Sequence, residues 1–566
     1  MASVDRNLEE LMAHLGEFGK YQCWQFSLHI IGALTAGLHM LTLLTVAAVP
    51  PHTCNVPKSS LVTDSPNITL SKWNTSVESL PRAIDACHYL DLNETIQDCE
   101  SWTYDTQYFQ SSRGMEWDFV CSQRWMGAAA QSSYMFGVFI GAVTLGSLAD
   151  KHGRKVIFYI SAVAQLILGV TVALVDNYYI FLVLRFLYGI FGSAGAYITG
   201  FVLTMELVGP SKRTMCGIMF QIAFAVGFML VSVWGALIKE RMWLQIVYGL
   251  HSALMIGHWW LMDESPRWLW AQGRVSEALA IIQKGLKMNG NNVAIDTDKL
   301  IGEGKKHRTV DYEDRSYGAL DLFRTPNLRK KTLNVCLNWF ANSIVYYGLS
   351  LNAGNLVGNP FFMLFLSGLV ELPSYILMCF LMDRAGRRCV VCTFMLIGGV
   401  CCVIASTIPT GTDIAATSIV TIVLFGKACI AGSFAVIYNY TAELFPTVVR
   451  NTALGIGSMC ARLSGALTPM IMLLDSFNPK VPAVLFGCVA LVSGFLSTYL
   501  PETLNQPMPE TIEDGENFGK HDTCFSTCIG SDKMGSSYEV TLNQLADKDE
   551  KEKLNQEENV KDITPR

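Results

Sequence analysis

Long apolar stretches recur along the chain and are separated by polar connections. Residues 156–175 and 361–382, for example, approach the roughly 20 residues that an α-helix needs to cross a bilayer core. Strands of a membrane barrel would instead alternate apolar and polar residues over about ten positions. We therefore predict an all-α membrane protein with twelve transmembrane helices, at residues 23–49, 127–149, 156–175, 178–205, 214–237, 243–262, 333–352, 361–382, 389–408, 415–440, 452–474 and 482–500.

Two long polar connections divide these helices into two halves of six. The last segment ends in a mixed-charge run with few apolar residues, so we predict that it is disordered. The predicted divisions are an amino terminus at 1–22, a first half at 23–262 with its loop at 50–126, a central loop at 263–332, a second half at 333–500 and a tail at 501–566.

The loop at 50–126 combines cysteines with glycosylation sequons. Clustering of both features favours an oxidising, extracellular location. The predicted glycosylation sites are Asn67, Asn74 and Asn93, and the disulfide candidates are Cys54, Cys87, Cys99 and Cys121. Four cysteines allow three pairings, and the sequence leaves all three open.

Basic residues are distributed unequally between the two long connections. The central loop carries thirteen Lys and Arg from Asp263 to Lys331, whereas the longer first loop carries five. Since positive charge is retained on the cytoplasmic side, we predict that the central loop and both termini are cytoplasmic. An even number of helices agrees with this orientation.

The composition supports a membrane protein. Of the 566 residues, 51% are apolar and only 16% are charged, whereas a soluble protein has about 25% charged residues. This excludes a soluble enzyme, a fibrous protein and a mostly disordered chain. A net charge of −6 offers no basic surface for nucleic acid, so the expected partners include a lipid bilayer but no nucleic acid.

Two charged motifs repeat between the halves. GSLADKHGRK at 146–155 links the second and third predicted helices, and DRAGRR at 383–388 links the eighth and ninth. The aspartates of the two motifs are 233 residues apart, and so are Gly153 and Gly386. Parallel repeats of six helices predict a transporter whose site lies between the halves, near the middle of the membrane.

A second charged pair follows in each half. Glu206 and Arg213 are seven residues apart after the fourth helix, and Glu443 and Arg450 are seven apart after the tenth. Carboxylates and guanidiniums at helix ends can pair, and arginine does so with two parallel hydrogen bonds. We predict a gating set that latches the cytoplasmic side: Asp150, Arg154, Glu206, Arg213, Asp383, Arg387, Glu443 and Arg450.

These motifs carry a resemblance to a known family. The two loop motifs resemble the signature of the major facilitator superfamily. ESPRWL at 264–269, AELFPTVVRN at 442–451 and PET at 501–503 resemble the organic cation/anion/carnitine transporter family within it, over roughly residues 8–503. The resemblance implies a multi-pass plasma-membrane carrier with the major facilitator fold.

Ionisable residues inside predicted spans are functional candidates, because burying a charge in a membrane is costly. Arg185 and Glu206 are expected to serve packing or gating. Lys427, in the tenth helix, could meet an anionic group or pair with a carboxylate.

Glu371 and Arg462 are the most informative of these residues. In the family that the chain resembles, cation carriers typically have an aspartate at the position of Arg462, whereas anion and carnitine carriers have an arginine. This chain keeps one acid and one base, which a zwitterion would satisfy. Arg462 could alternatively pair structurally with Glu371 or Asp475.

Aromatic residues add to the predicted site. Trp339 and Tyr346 share one face of the seventh helix, beside Tyr347, and aromatic faces attract ammonium groups by about 0.5–2 kcal/mol each. The resemblance adds further pocket positions. The predicted substrate-binding residues are thus Arg462, Glu371, Trp339, Tyr346, Tyr347, Tyr197, Gln221, Phe224, Lys427 and Phe434.

The sequence therefore predicts a secondary transporter of small zwitterionic or cationic organic amines, such as carnitine-like or β-alanine-like molecules. Transport would be facilitated, or driven by an ion or counter-substrate gradient. Catalytic residues, cofactors and metals are not expected, because the chain has neither an ATP-binding Gly-x-x-x-x-Gly-Lys-Ser/Thr loop nor a His-Glu-x-x-His site. The alternatives are an organic-anion exchanger that uses Arg462 and Lys427, and a membrane receptor or scaffold that does not transport.

Overall fold

The structure is a computed structural model that describes residues 5–56, 82–90, 95–291, 318–409, 412–520 and 522. The predicted glycosylation sites Asn67, Asn74 and Asn93 lie outside the described residues. Within those residues the architecture is helical, and the strands are confined to the loop after the first membrane helix.

The described α-helices follow the predicted order. They are α1 (Asp5–Leu15), α2 (Lys20–Met40), α3 (Leu43–Val46), α4 (Arg113–Glu116), α5 (Arg124–His152), α6 (Arg154–Leu174), α7 (Tyr178–Gly189), α8 (Ile198–Leu207), α9 (Pro210–Leu237), α10 (Arg241–Leu250), α11 (His258–Leu261), α12 (Pro266–Ala271), α13 (Val275–Asn289), α14 (Pro326–Asn352), α15 (Pro360–Leu369), α16 (Glu371–Ala385), α17 (Arg387–Thr407), α18 (Asp413–Leu444), α19 (Arg450–Met472), α20 (Val481–Ser497) and α21 (Ile512–Asn517). A π-helical turn, Ile190–Tyr197, joins α7 to α8.

Nine helical stretches among the described residues are long and apolar enough to cross a membrane. They are Lys20–Val46, Cys121–His152, Arg154–Leu174, Tyr178–Leu207, Pro210–Leu237, Pro360–Ala385, Arg387–Thr407, Asp413–Leu444 and Arg450–Ser476. Each of them coincides with one of the twelve predicted spans.

The other three predicted spans are helical but differ from the nine. The span at 243–262 is broken into α10, a 3₁₀ turn and α11. The span at 482–500 is the 17-residue helix α20. The span at 333–352 lies in α14, where the Asn338 side chain accepts hydrogen bonds from Ser493 and Ser497 of α20 at 2.9 and 2.6 Å. These polar contacts explain why α14 is less apolar than its neighbours.

Small residues let the helices of one half approach closely. A Cβ at Gly37 of α2 would lie 2.1 Å from the carbonyl oxygen of Phe224 in α9, and one at Gly227 would lie 2.0 Å from that of Leu34. Backbones this close gain van der Waals contact, which drives helix association where lipid replaces water. The halves meet where α5 packs on α19 and where α9 packs on α15 and α16.

The loop after α3 is a small disulfide-linked domain. Strand β1 (His52–Cys54) pairs antiparallel with β5 (Trp102–Tyr104), and β2 (Arg82–Ala83), β3 (His88–Leu90) and β4 (Ile96–Asp98) form a second antiparallel sheet. Of the three pairings left open by the sequence, the structure has Cys54 with Cys99 and Cys87 with Cys121. We call the membrane face that carries this domain the loop side.

The opposite face, which we call the terminal side, carries α1, α12, α13 and α21. The tail at 501–566, which we predicted to be disordered, contains the described helix α21. Helix α1 packs on α12, where the Arg267 guanidinium donates to both carboxylate oxygens of Glu9. That hydrogen bond lowers the pKa of Glu9.

The described start of the tail is held against the second half. Glu516 of α21 accepts the backbone N–H groups of Asn327 and Leu328, at the beginning of α14. The Lys331 side chain donates to the Gly515 carbonyl at 2.9 Å. Glu516 supplies acceptors for N–H groups that have no partner within α14. These contacts hold the tail in place as far as α21.

The loop domain is anchored to the first half by Arg113, whose side chain is 1% exposed. Its guanidinium donates to the carbonyls of Val172, Ala173 and Val175, which lie at the end of α6. It also pairs with Glu116 at 2.7 Å. One arginine therefore satisfies helix-end carbonyls that would otherwise lack partners.

Two contacts on the loop side join the halves. The side chain of Arg124, at the start of α5, lies 2.7 Å from the Asp475 carboxylate, just after α19. The Phe109 ring of the loop packs on Phe361 of α15, with ring centroids 5.0 Å apart. We call this pair of contacts the loop-side clasp.

We expect Arg113→Ala to destabilise the protein by about 1.5–3 kcal/mol, because three helix-end carbonyls lose a charged donor. Glu116 keeps its ion pair with Arg241 at 2.8 Å. The matched control is Arg124→Ala, whose partly exposed ion pair should contribute about 0–1 kcal/mol. Thermal unfolding of both purified variants in detergent measures the difference. Equal losses for the two would contradict the anchoring role of Arg113.

Candidate functional site

A central cavity of about 710 Å³, including space open to solvent, lies between the two halves. Helices α2, α5 and α9 and the π-helical turn supply one wall, and α14, α16, α18 and α19 supply the other. The lining residues are Ala36, Met40, Met135, Val138, Ser193, Tyr197, Gln221, Phe224, Ser343, Tyr346, Tyr347, Tyr375, Phe434, Tyr438, Ser458, Ala461, Arg462 and Gly465.

The cavity contains seven of the ten predicted substrate-binding residues. Trp339, Glu371 and Lys427 are the exceptions, and they lie behind the wall. The seven are Arg462, Tyr346, Tyr347, Tyr197, Gln221, Phe224 and Phe434.

The first-half wall depends on the π-helical turn, which interrupts the membrane helix formed by α7 and α8. Ser193 and Tyr197 lie on this turn and reach the cavity. The Ser193 hydroxyl is hydrogen-bonded to the Tyr134 hydroxyl at 2.8 Å. Single π-helical turns are found frequently at functional sites, because the wider turn redirects side chains.

Aromatic rings form much of the second-half wall. The Tyr346 ring is 5.3 Å from that of Tyr347 and 5.9 Å from that of Phe434, measured between centroids. Tyr438 lies one helical turn after Phe434, with a centroid distance of 5.9 Å. These rings give the cavity several electron-rich faces and edges.

Trp339 supports this wall from behind. Its indole N–H donates to the Thr441 hydroxyl at 3.0 Å, and its ring packs on Tyr438 at 4.3 Å between centroids. A Cβ at Gly457 would lie 2.7 Å from its ring nitrogen. Trp339 is fully buried, so the prediction that it contacts substrate directly does not fit this conformation.

Arg462 is the charged group of the cavity wall. Its Nε is buried and has no hydrogen-bond partner among the described residues. The two structural pairs considered from the sequence are not formed: Glu371 lies 3.1 Å from Lys427, and Asp475 lies 2.7 Å from Arg124. The guanidinium therefore faces the cavity without a carboxylate from the described protein.

Glu371 and Lys427 are an ion pair behind the tyrosines. Both side chains are buried, and the Lys427 ammonium also donates to the hydroxyls of Ser350 and Ser367. The predicted direct contact of Glu371 with a substrate ammonium is thus replaced by a contact with a lysine. The sequence left Lys427 with either an anionic ligand or a carboxylate, and the structure has the carboxylate.

Arg185 has a packing role. It is fully buried in the first half and donates to Thr42 and Gln131, both at 3.2 Å. Its guanidinium also lies 4.5 Å from the Tyr134 ring centroid. These contacts tie three helices together and agree with the structural role expected for it.

Five polar or aromatic wall residues were missed from the sequence: Ser193, Ser343, Tyr375, Tyr438 and Ser458. A helical-spacing argument could have found Tyr438, because it lies four residues after Phe434 and so shares its face. The same spacing links Tyr375 to Glu371. No sequence spacing pointed to Ser343, whose hydroxyl donates to the Ala461 carbonyl of α19.

The predicted gating residues form two matching clusters on the terminal side. In the first half, Arg154 lies 2.9 Å from Asp150 and 3.1 Å from Glu206. In the second half, Arg387 lies 3.3 Å from Asp383 and 3.0 Å from Glu443. Every one of these pairs joins residues within one half.

Arg213 and Arg450 are not part of either ion-pair cluster. Both have a buried Nε without a hydrogen-bond partner in the described part of the chain. The clusters therefore brace each half separately in this conformation, and the latch between halves that the sequence suggested is not formed here.

A further carboxylate completes each cluster. Glu264 accepts the backbone N–H groups of Arg154 and Lys155 at 3.2 and 3.1 Å, at the start of α6. Burial raises the pKa of the Glu264 carboxyl, although these N–H groups oppose the rise. A carboxylate at a helix start is also favoured by the helix dipole.

Glu502 does the same in the second half. It accepts the backbone N–H groups of Arg387 and Arg388 at 2.8 and 3.1 Å, at the start of α17. Glu264 and Glu502 belong to motifs that the sequence used only for the family resemblance. The sequence did not indicate this contact, because both glutamates lie far along the chain from the arginine motifs.

Each helix start is preceded by a glycine in the left-handed region. Gly153 has φ +108° and Gly386 has φ +86°. A Cβ at either position would lie 2.5 Å from the carboxylate of Glu264 or Glu502. Only glycine fits, which explains why both halves have it at the same place.

Comparisons with known proteins agree with this architecture. The chain matches the family model described as sugar (and other) transporter over residues 70–514. It is 38% identical over 532 residues to the organic cation transporter protein of Drosophila melanogaster, covering 90% of this chain and 95% of that protein. It is 32% identical over 539 residues to solute carrier family 22 member 16 of Xenopus laevis, covering 90% and 94%.

The fold also matches a solved transporter. The xylose transporter of E. coli superposes with a TM-score of 0.56 at 16% identity, covering 87% of this chain and 98% of that one. The paired halves and the cavity between them have the fold of a solved proton:xylose symporter of the major facilitator superfamily. The chain belongs to the sugar (and other) transporter family, in the group of organic cation transporters and solute carrier family 22 proteins.

We expect Gly153→Ala and Gly386→Ala each to destabilise the protein by about 1–3 kcal/mol, because alanine is strained at these φ values. The matched control is Gly146→Ala in the same motif, where a Cβ meets no atom within 4 Å. As a helix interior position, it should gain about 0.5–1 kcal/mol. Thermal unfolding in detergent tests this order, and a Gly146→Ala variant as unstable as the other two would contradict it.

Proposed function

We propose that this protein is a plasma-membrane transporter of small organic amines that also carry a carboxylate, such as carnitine-like or β-alanine-like zwitterions. It also accepts simple organic cations, more weakly. The observation that carries the proposal is the cavity wall, where one arginine without a protein partner faces a set of aromatic rings.

Arg462 is the proposed carboxylate site. The Arg462 side chain is partly buried and its Nε lacks a partner among the described residues. A substrate carboxylate would supply the missing charge and hydrogen bonds. Arginine suits this role, because its planar fork of donors matches a carboxylate in a bidentate pair.

The aromatic wall is the proposed ammonium site. Tyr346, Tyr347 and Phe434 lie on the same side of the cavity, and aromatic faces attract ammonium groups. The names of the relatives, which are organic cation transporters, support a substrate that carries an amine. A cation without a carboxylate would leave Arg462 unmatched, which explains why a zwitterion is preferred.

An organic anion is the second candidate substrate. The observation in its favour is that Lys427 neutralises Glu371, so Arg462 is the charged side chain on the described cavity wall. A non-transporting receptor is not favoured, because the cavity and both gating clusters are intact.

We further propose that the loop side is extracellular and the terminal side cytoplasmic. The two disulfides of the loop domain favour an oxidising compartment, and the basic central loop favours the cytoplasm. With the loop-side clasp closed, this conformation would face the cytoplasm in an alternating-access cycle. An ion or counter-substrate gradient would drive the cycle.

Changing Arg462 tests the substrate assignment. Arg462→Ala should nearly abolish zwitterion uptake, because removing one partner of a buried charge pair costs about 3–5 kcal/mol. Arg462→Asp should instead raise the uptake of tetraethylammonium relative to a zwitterion. Uptake of radiolabelled carnitine, β-alanine, tetraethylammonium and p-aminohippurate by cells expressing each variant measures both effects.

Arg462→Lys is the control, because it keeps the charge and loses only the bidentate geometry. It should retain the substrate preference of the unmodified protein at a reduced rate. If Arg462→Asp reaches the surface and shows no relative gain for tetraethylammonium, Arg462 does not contact the substrate. If the unmodified protein takes up p-aminohippurate and no zwitterion, the anion candidate replaces the proposal.

Changing the gating clusters tests their proposed role in switching. Glu206 and Glu443 are 21% and 18% exposed, whereas Asp150 and Asp383 are 73% and 74% exposed. Glu206→Gln and Glu443→Gln should therefore lower maximal uptake by roughly tenfold, since a hydrogen bond to a charged group is worth about 1.5–3 kcal/mol. Asp150→Asn and Asp383→Asn are the exposed controls and should have smaller effects.

Equilibrium binding separates switching from substrate contact. In all four variants, the affinity of purified protein for a transported substrate should stay close to that of the unmodified protein. A collapse of affinity in Glu206→Gln with normal rates of conformational change would show that the clusters do not act on switching.

A further inference from the structure

A buried ion pair lies directly behind the aromatic wall of the cavity. The Lys427 ammonium is 3.1 Å from a Glu371 carboxylate oxygen, Oε1, and the two side chains are 1% and 0% exposed. Neither residue lines the cavity. Since both charges are removed from water, each depends on the other to remain ionised.

The ammonium is held within the second half. Besides its ion pair with Glu371, it donates to the hydroxyls of Ser350 and Ser367 at 2.9 and 2.6 Å.

The carboxylate reaches the cavity through two tyrosines. Tyr346 and Tyr375 both line the cavity, and both donate their hydroxyl hydrogen to the same Glu371 oxygen, Oε2, at 3.0 Å. A phenol has one O–H to donate. Because that donor is spent on Glu371, the two tyrosines present only acceptor lone pairs and ring faces to a substrate, which suits an ammonium.

We infer that the Glu371–Lys427 pair sets the charge preference of the cavity without touching the substrate. Glu371 is a positioning residue, because it turns the two tyrosine donors away from the cavity. Lys427 cancels its negative charge, so that Arg462 and the rings decide which substrate binds. This inference rests on the proposed function, since it concerns the same cavity.

Removing Lys427 and removing the Glu371 charge should change the substrate preference in opposite directions. Without Lys427, the carboxylate charge is uncompensated behind the wall and draws cations into the cavity. Without the Glu371 charge, the ammonium is uncompensated and the two tyrosine hydroxyls are free to donate to an anion. A pair that only holds α16 to α18 would not produce effects of opposite sign.

The experiment is the ratio of tetraethylammonium uptake to p-aminohippurate uptake in cells, corrected for surface expression. We expect Lys427→Met to raise this ratio and Glu371→Gln to lower it. One unit charge about 10 Å away at an effective dielectric constant of about 20 changes the uptake of a monovalent ion by about tenfold. Since the cation and the anion respond in opposite directions, each ratio should shift by about a hundredfold. The double variant E371Q/K427M, which has neither charge, should return the ratio towards that of the unmodified protein.

A second variant covers the case in which the single changes prevent folding. E371K/K427E keeps a pair of opposite charges but places the lysine beside the two tyrosines. Their hydroxyls cannot donate to an ammonium, so they become free for the cavity and the ratio should fall. An unchanged ratio in this exchanged variant, or single variants that shift the ratio in the same direction, would overturn the inference.

These experiments distinguish failure of this inference from failure of the proposed function. If the unmodified protein takes up no zwitterion but the two single variants shift the ratio in opposite directions, the inference holds and the zwitterion proposal fails. If Arg462→Asp changes the preference as proposed while the pair variants leave the ratio unchanged, the proposal holds and the inference fails.

Discussion

A charge inside a membrane protein needs a partner, because neither lipid nor a packed helix interface can solvate it. The central part of this transporter depends on how two cations, Lys427 and Arg462, share the one carboxylate of Glu371. Glu371 is paired with Lys427, on its own side of the wall, and this leaves Arg462 alone beside the cavity. Had Glu371 paired with Arg462 instead, the cavity would present no free charge and the lysine would be isolated among serines.

The two halves share one arrangement at a sharp turn between membrane helices. A sharp turn between two membrane helices needs a glycine in the left-handed region, and the helix that follows needs an acceptor for its first N–H groups. In both halves the acceptor comes from the far end of that half, as Glu264 and as Glu502. The carboxylate closes the six helices into a unit, so that each half can behave as a rigid body. The adjoining arginines, Arg154 and Arg387, extend this closure to the neighbouring helix ends.

Much of the fold was predictable, because long apolar runs and a repeat spacing of 233 residues are properties of the sequence alone. The helix interruption at Ile190–Tyr197 was not, since a π-helical turn differs from an α-helix by one residue and leaves the hydrophobic pattern almost intact. The helices near 266–289 were missed because they are short and lie in a basic connection.

The candidate site was likewise predictable only in part. Residue type was enough to select Arg462, Tyr346 and Tyr347, because charged and aromatic side chains are unusual in a packed membrane interior. Residue type could not decide which carboxylate meets which cation. That choice depends on the rotation of α16 and α18 about their axes, which brings Glu371 to Lys427 and carries both behind the wall. The rotation of α16 also brings Tyr375 to the cavity wall.

The anchoring of the loop domain has a mechanical consequence. Arg113 ties the domain to the end of α6, and Arg241 adds a second tie by pairing with Glu116 at 2.8 Å. The loop domain therefore moves with the first half, and it contacts the second half through the ring of Phe361. An antibody fragment that binds between the Phe361 ring and the loop domain would hold the two halves apart on the loop side. It would not compete with a substrate for the cavity.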